Sequence, residues 1–412
     1  MNNAPIASVD DGLTRREGLF ILLGSALALT GCGGGGGSVA GVSSGGTGSV
    51  SGGSLSSGTI TGFGSIILNS NGVRIDDSSA SIRDDDGNDM RGKLRLGMQA
   101  MVTASAVSAS SASASAIVVG GELLGRIEGT PNAAQRTFVV LGQTVRVTGS
   151  TMLDATLVNG FNDLRTDTVV EVHGLLDPVA NTLTATFIEK KNSPALFKIQ
   201  GIASNHDAIA RKFNIGAVRI SYSATTDVRI TPVNGTLVRV RMTAVLPPAA
   251  LPVEWGATRI RPPENIVENR EEVEIEGNIT AFTSPAQFRV NGVPVSTSSS
   301  TRFDDGTAVL AVGVRVEVRG RLSSGVLIAE RVRLRDNDEV DNLEFELHGA
   351  VANVTPTTFE VRGMKVNYFA TTEFRDGTRS NLINGAQVEV RGVAADSSSS
   401  STGIDATRIS FE

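Results

Sequence analysis

A closing signature of the form Ala-x-x-Ile/Val recurs five times in this chain. It stands at Ala114-Ser115-Ala116-Ile117, Ala185-Thr186-Phe187-Ile188, Ala257-Thr258-Arg259-Ile260, Ala329-Glu330-Arg331-Val332 and Ala406-Thr407-Arg408-Ile409, with starts 71, 72, 72 and 77 residues apart. An opening glycine recurs with it, at Gly58, Gly125, Gly201, Gly277 and Gly349. Repetition constrains a fold more than composition does, because each copy must bury its apolar face alone or against its neighbours. A period near 72 residues is long for one solenoid unit and suits one small barrel.

The elements inside a copy recur in order. In the fourth, Phe288-Arg289-Val290-Asn291-Gly292-Val293-Pro294-Val295 reads as two short strands around Asn-Gly, a strong hairpin signal because both turn positions need positive φ. Asn71-Gly72, Leu141-Gly142, Ile215-Gly216 and Arg362-Gly363 hold the same place elsewhere, and Asp-Gly turns follow at Asp86-Gly87, Asp305-Gly306 and Asp376-Gly377. Alternating strands come next: Val314-Arg315-Val316-Glu317-Val318-Arg319, Ala386-Gln387-Val388-Glu389-Val390-Arg391, Val169-Val170-Glu171-Val172-His173 and Leu237-Val238-Arg239-Val240-Arg241-Met242. Period-two alternation puts Val on a core face and Arg or Glu in water. The expected fold class is therefore all-β: five tandem small antiparallel β-barrel domains, since closure removes the edges of so short a unit. The boundaries are 58–119, 120–191, 192–265, 266–338 and 339–412. Each is expected to be a separable folding unit. The third is divergent, because Pro247, Pro248, Pro252, Pro262 and Pro263 surround its last strand.

These residues resemble the bacterial domain-of-unknown-function family 5666. The likeness rests on the opening glycine, the Asn-Gly hairpin, the elements Leu94-Arg95-Leu96-Gly97 and Leu310-Ala311-Val312-Gly313 before the alternating strand, and the Ala-x-x-Ile close. It is good in repeats one, four and five and poorer in two and three. The resemblance implies an OB-like barrel and carries no established activity.

Composition narrows the function. With 15 Phe, 2 Tyr and 1 Trp in 412 residues, Val, Ile and Leu must supply the core. A net charge of −6 and scattered aromatics argue against a nucleic-acid partner. One cysteine precludes an intramolecular disulfide.

That cysteine sits in a telling place. Arg15 and Arg16 precede an apolar or small stretch over residues 19–29. As a helix it would rise about 16 Å, too short for a bilayer span and right for a signal segment. It ends in Leu29-Thr30-Gly31-Cys32, which resembles a bacterial lipobox. The resemblance implies a signal peptide over 1–31, cleavage between Gly31 and Cys32, diacylglycerol on Cys32, and, with Gly33 next, an outer-membrane address facing periplasm or cell surface. Arg15-Arg16 also resembles a twin-arginine export signal, and the general secretion route stays open beside it. Residues 32–57 read as a lipidated cysteine and a Gly/Ser-rich tether spanning roughly 25–30 Å as a random coil. Within it, Gly41-Val42-Ser43-Ser44-Gly45 matches the hydrolase pattern G-x-S-x-G, which has meaning only on a strained strand-to-helix turn.

Other chemistry is sparse. Asp84, Asp86, Asn88 and Asp89 form the one candidate Ca²⁺ loop, although Gly87 comes too early for an EF-hand and a plain Asp-Gly turn is the simpler reading. His173, His206 and His348 share no metal-ligand spacing, and His173 reads as an exposed strand-end residue. The acidic run Asp336-Asn337-Asp338-Glu339 with Asp341 reads as a solvated joint. Arg239, Arg241, Arg259, Arg261, Arg315, Arg319, Arg331, Arg333 and Arg335 read as a wet sheet face. The expectation is a lipid-anchored cell-envelope protein without a cofactor, a non-enzymatic spacer or binder of an envelope protein or polysaccharide. The alternatives are a Ca²⁺- or small-ligand-binding lipoprotein, or an envelope enzyme or cofactor carrier.

Overall fold

The computed structural model describes residues 51–412 apart from 70–72, 108–109, 245–252, 264–268, 337–340 and 396–402. Arg15, Arg16, Gly31, Cys32, Ser43, the Asn71-Gly72 turn, Pro247, Pro248, Pro252 and most of the acidic run at 336–339 lie outside those residues.

Alternation makes strands where it is strongest. In repeat two, Phe138, Val140, Val145 and Val147 turn inward from Thr137–Val140 and Gln143–Leu153. Leu123–Asn132 pairs antiparallel with Thr137–Val140, and that strand with Gln143–Leu153. Gln143–Leu153 runs parallel to Thr182–Lys190, which pairs antiparallel with Val169–Asp177. Val169–Asp177 then returns antiparallel to Leu123–Asn132. The other four repeats keep this order of first-to-fifth strands. In repeat one the second-to-third contact is a single bridge, Ile66 to Ile75. The parallel third-to-fifth pairing departs from the wholly antiparallel expectation.

The hairpin glycines act as read. Asn291 (φ 48°) and Gly292 (φ 83°) form the two-residue turn between Val290 and Val293. In repeat three the turn falls one residue later, on Gly216-Ala217, since Ile215 pairs with Val218. The opening glycine has a packing reason: a Cβ at Gly277 would overlap the Asn291 side chain, whose Nδ2 donates to the Glu276 carbonyl at 3.2 Å. Asn69 lies over Gly58 in the same way, its Nδ2 donating to the Ser57 carbonyl at 3.2 Å.

Five free-standing OB-like barrels in a row are not what the chain builds. The described residues are all-β and coil through about nine successive turns, as a β-solenoid does. Repeats are joined by strand pairing. The first strand of repeat one, Ser51–Phe63, runs parallel to Arg270–Ser284 of repeat four from Ser51 to Ser57, and parallel to Phe345–Ala352 of repeat five at Gly62 and Phe63. Repeats two and three meet where Leu124 pairs with Lys198. Repeats one, four and five thus share one 18-stranded pairing system, and repeats two and three an 11-stranded one.

The buried side chains tell the same story, in three clusters rather than five. One combines repeats one and five and takes in Met152 and Phe187 of repeat two. A second combines repeats two and three, and the third is that of repeat four with Leu55 of repeat one. The physical reason is size, because a unit of about 70 residues sits near the lower limit for a core of its own. The strand over Ser51–Phe63 also shows that the end of the Gly/Ser stretch belongs to the body. Its small residues let it lie between two other strands, Gln99–Ala104 and Arg270–Ser284.

Repeat three completes its pairing despite its prolines. Glu254–Arg261 pairs with both Val218–Ser221 and Leu237–Thr243, and Pro262 and Pro263 fall just past the strand, where no ladder hydrogen bond is lost.

Leu55, 5% exposed, reaches from repeat one into the core of repeat four. Leu55→Ala should lower stability to urea by about 2–5 kcal/mol. Thermolysin cuts should then appear within Arg315–Ser323 and Val326–Leu334. Cuts confined to repeat one would show that the two repeats are uncoupled.

Candidate functional site

The loop at 84–89 carries the decisive contact. Asp84 closes it: Oδ1 accepts from the backbone N–H groups of Asp86 and Asn88 at 2.9 and 2.7 Å, and Oδ2 from Asn88 Nδ2 at 2.7 Å. Such an Asx turn holds the tip rigid and projects Asp85 out of repeat one. Asp85 meets Lys198 Nζ at 3.1 Å, Arg239 Nη1 at 3.0 Å, Arg241 Nη2 at 2.9 Å and Arg261 Nη2 at 2.5 Å, all from repeat three. Burial alone would raise its pKa, but the four cations outweigh that and hold the carboxyl far below the usual range. Asp86 pairs with Arg241, and Asp89 Oδ1 accepts from the Arg91 N–H at 3.0 Å. The carboxylates of the candidate Ca²⁺ loop are therefore turned to its own backbone and to arginines.

Repeat two joins the same network. Lys198 Nζ lies 3.2 Å from Glu171 Oε1, and Lys191 Nζ 3.1 Å from Glu171 Oε2. Burial would raise Glu171, yet Lys198, His173 and Lys191 bring it down to about 2. His173 is buried, contrary to the exposed strand end expected, and burial lowers it to about 4. Its Nδ1 accepts from the Gln99 backbone N–H at 3.3 Å, tying repeat one to repeat two. Thr186 Oγ1 donates to the Gly97 carbonyl at 2.6 Å across the same joint.

The wet-face expectation fails for the central arginines. Arg239, Arg241 and Arg315 are buried, as are Glu276 and Glu317. Alternation does send these side chains away from their own core, but the face they reach is covered by other repeats. A register pattern organises them. The residue before each opening glycine stands opposite a fourth-strand residue: Ser57 opposite Met101, Leu124 opposite Glu171, Gln200 opposite Arg239, Glu276 opposite Glu317 and His348 opposite Glu389. Arg239 Nε and Nη2 donate to Gln200 Oε1 at 3.0 and 2.8 Å. Glu276 pairs with Arg315, and Arg335 Nη2 reaches Glu317 Oε2 at 2.5 Å. Arg259 pairs with Asp227 at 3.1 Å, Arg319 with Glu274 at 3.1 Å and Arg331 with Asp304 at 2.5 Å.

These rows line a half-open cavity of about 300 Å³ where repeats one to four meet. Ser57, Gln200 and Glu276 line it from three opening positions, with Asp85, Arg239 and Arg261 beside them. Glu122 of repeat two completes the wall: its Oε2 accepts from the Gly174 N–H at 2.8 Å, and Oε1 lies 3.5 Å from Arg239 Nη2. Burial raises Glu122 to about 7. The sequence signal for this site was the position before the opening glycine, where polar residues recur in four of the five repeats.

A second charged joint links repeats one and five. Ligand atoms of Glu346, His348 and Glu389 lie within 4.8 Å of one another, the geometry of a cation site among the described residues. Guanidinium groups already stand there: Arg74 Nη2 is 2.5 Å from Glu346 Oε1, Arg74 Nη1 is 2.9 Å from His348 Nε2, and Arg391 Nη2 is 3.1 Å from Glu346 Oε2. His348 Nδ1 lies 2.9 Å from Glu412 Oε1, and its hydrogen bond with Glu346 raises its pKa. His206 is apart from both, its Nε2 2.9 Å from the Tyr222 hydroxyl.

Fold and site define a tandem-repeat, all-β protein whose repeats are fused through their outward faces. The profile of the family described as Domain of unknown function (DUF5666) matches residues 125–189, 276–333 and 348–410. The chain thus carries tandem copies of the DUF5666 domain. The matches fall on repeats two, four and five, so repeat two keeps more of the family pattern than the sequence reading gave it. No curated protein matches the chain.

Asp85→Asn removes the carboxylate that four cations share, and it should destabilise the protein by about 3–5 kcal/mol at neutral pH. Asp89→Asn, on the exposed side of the loop, should stay within about 0.5 kcal/mol. Equal effects in urea titrations would show that Asp85 is no special anchor. Glu122 titrates in the opposite sense. Its folded pKa lies above the unfolded value, so ionisation of the unfolded chain destabilises the fold as pH rises from 4.5 to about 7. The stability of Glu122→Gln relative to the unaltered protein should therefore rise by about 1–3 kcal/mol across that window and level off above it. A difference independent of pH would contradict the burial of that carboxyl.

Proposed function

We propose that this is a lipid-anchored cell-envelope protein, held in the membrane through Cys32, that presents a rigid, non-enzymatic β body to an envelope protein or polysaccharide. The observation that carries the binding half is the fusion of the repeats. Strand pairing between repeats and the Asp85 network make residues 51–412 one body with a polar cavity at its junction. Beads on a string would serve a spacer, whereas a fused body with a polar cavity at its junction suits a binder. The anchoring half rests on Leu29-Thr30-Gly31-Cys32 and the Gly/Ser stretch behind it. Several acyl chains on one cysteine give stable attachment where a single chain is marginal. An outer-membrane address facing periplasm or cell surface follows from Gly33 beside the lipobox resemblance.

Labelled palmitate should enter the unaltered protein and be absent from Cys32→Ser, which should leave the membrane fraction. Label retained in Cys32→Ser, or equal membrane association of the two, would overturn the anchor.

A further inference from the structure

We propose that the cavity between repeats one to four binds a neutral, polyhydroxylated ligand of mono- or disaccharide size. The inference deepens the binding half of the reading above by naming the ligand class. At about 300 Å³ the cavity lies at the lower end of sites that hold small molecules.

Charge selects against ions. Arg239 and Arg261 stand in the wall and disfavour a cation. Asp85, Glu122 and Glu276 stand there too and disfavour an anion. Asp85 is already matched by four cations, so it offers little attraction to a fifth. What remains is a cavity that carries both signs of charge and many hydrogen-bonding groups, suited to a molecule that is polar and uncharged.

The unmet hydrogen bonds point the same way. Ser57 is 4% exposed, lines the cavity, and its Oγ has no hydrogen-bond partner. A buried hydroxyl left so is unfavourable unless something fills its valence. Glu122 Oε1 has only a long 3.5 Å contact to Arg239, which leaves it acceptor capacity for a ligand hydroxyl. With a pKa near 7, the same carboxyl can donate as well as accept at neutral pH. Gln99 Nε2 is engaged by Thr59 and Thr186, and Gln200 Oε1 by Arg239, so Gln99 brings its carbonyl oxygen and Gln200 its amide nitrogen to the cavity wall. Met101, Leu176, Pro262 and Pro263 also line the cavity and offer apolar surface to the C–H face of a pyranose ring.

The test is titration calorimetry with saturation-transfer NMR on the mature protein. The probes are glucose, galactose, N-acetylglucosamine, maltose and cellobiose, with calcium chloride and inorganic phosphate run alongside. At least one neutral sugar should bind saturably. Ser57→Ala, with its thermal unfolding checked, should weaken that binding about three- to tenfold, the worth of one hydrogen bond, and Glu122→Gln should shift its pH dependence. In the unaltered protein the same sugar should slow amide exchange at Ser57–Gly58 and at residues 120–122, a readout that needs no variant. The proposal is overturned if no sugar binds, if binding is indifferent to both substitutions and leaves exchange unchanged, or if calcium or phosphate occupies the cavity instead. Failure here with palmitate still on Cys32 would remove the sugar and leave the anchor standing.

Discussion

One buried carboxylate sets the arrangement of the repeats. Asp85 leaves the unit that carries it and sits among Lys198, Arg239, Arg241 and Arg261, with Lys198 reaching on to Glu171. Four cations facing one another on a β surface would repel strongly in a low-dielectric interior. The loop at 84–89 supplies the countercharge, and the Asx turn made by Asp84 fixes the backbone that presents it. A buried charge cluster of this kind adds little net stability over a well-packed apolar one. Its effect is on geometry, because moving repeat one away from repeat three would leave Asp85 and the cations that face it without their countercharges.

The same constraint explains which parts of the fold were legible in sequence. Alternation, the Asn291-Gly292 turn and the opening glycines are local devices, and they report strands, turns and repeat length faithfully. Alternation also says which face of a strand looks away from its own core. It does not say whether that face meets water or another repeat, since Arg239 and Glu317 look the same in either place. The expectation of free-standing barrels rests on closing the edges of a short unit and that of an exposed His173 on its outward place in a strand, and neither takes account of a neighbouring repeat. The pairing of Ser51–Phe63 with strands of repeats four and five is long-range in sequence, and no short motif announces it.

The candidate site was legible in pieces only. The acidic loop stands out in sequence, with a plain Asp-Gly turn as the simpler reading and Asp84, Asp86, Asn88 and Asp89 as a candidate Ca²⁺ loop; neither reading marks Asp85, because its partners lie more than 100 residues away in repeat three. The polar residues before the opening glycines were visible as a column: Ser57, Gln200, Glu276 and His348. Their convergence on shared joints needed the placement of one repeat against another. Copies that look redundant in sequence thus differ where it counts, because the core-facing positions repeat while the joint-facing positions are individually matched to a neighbour.

The central claim is that repeats one to three stand or open together because their outward faces are buried in one another. Native-state hydrogen exchange under increasing denaturant tests it most directly. Amides in Gln99–Ala104, Val169–Asp177 and Leu237–Thr243 should merge into a single opening with a common free energy and denaturant slope, and Asp85→Asn should lower all three together. Three separate openings, each with its own slope and only Gln99–Ala104 responding to Asp85→Asn, would contradict the account.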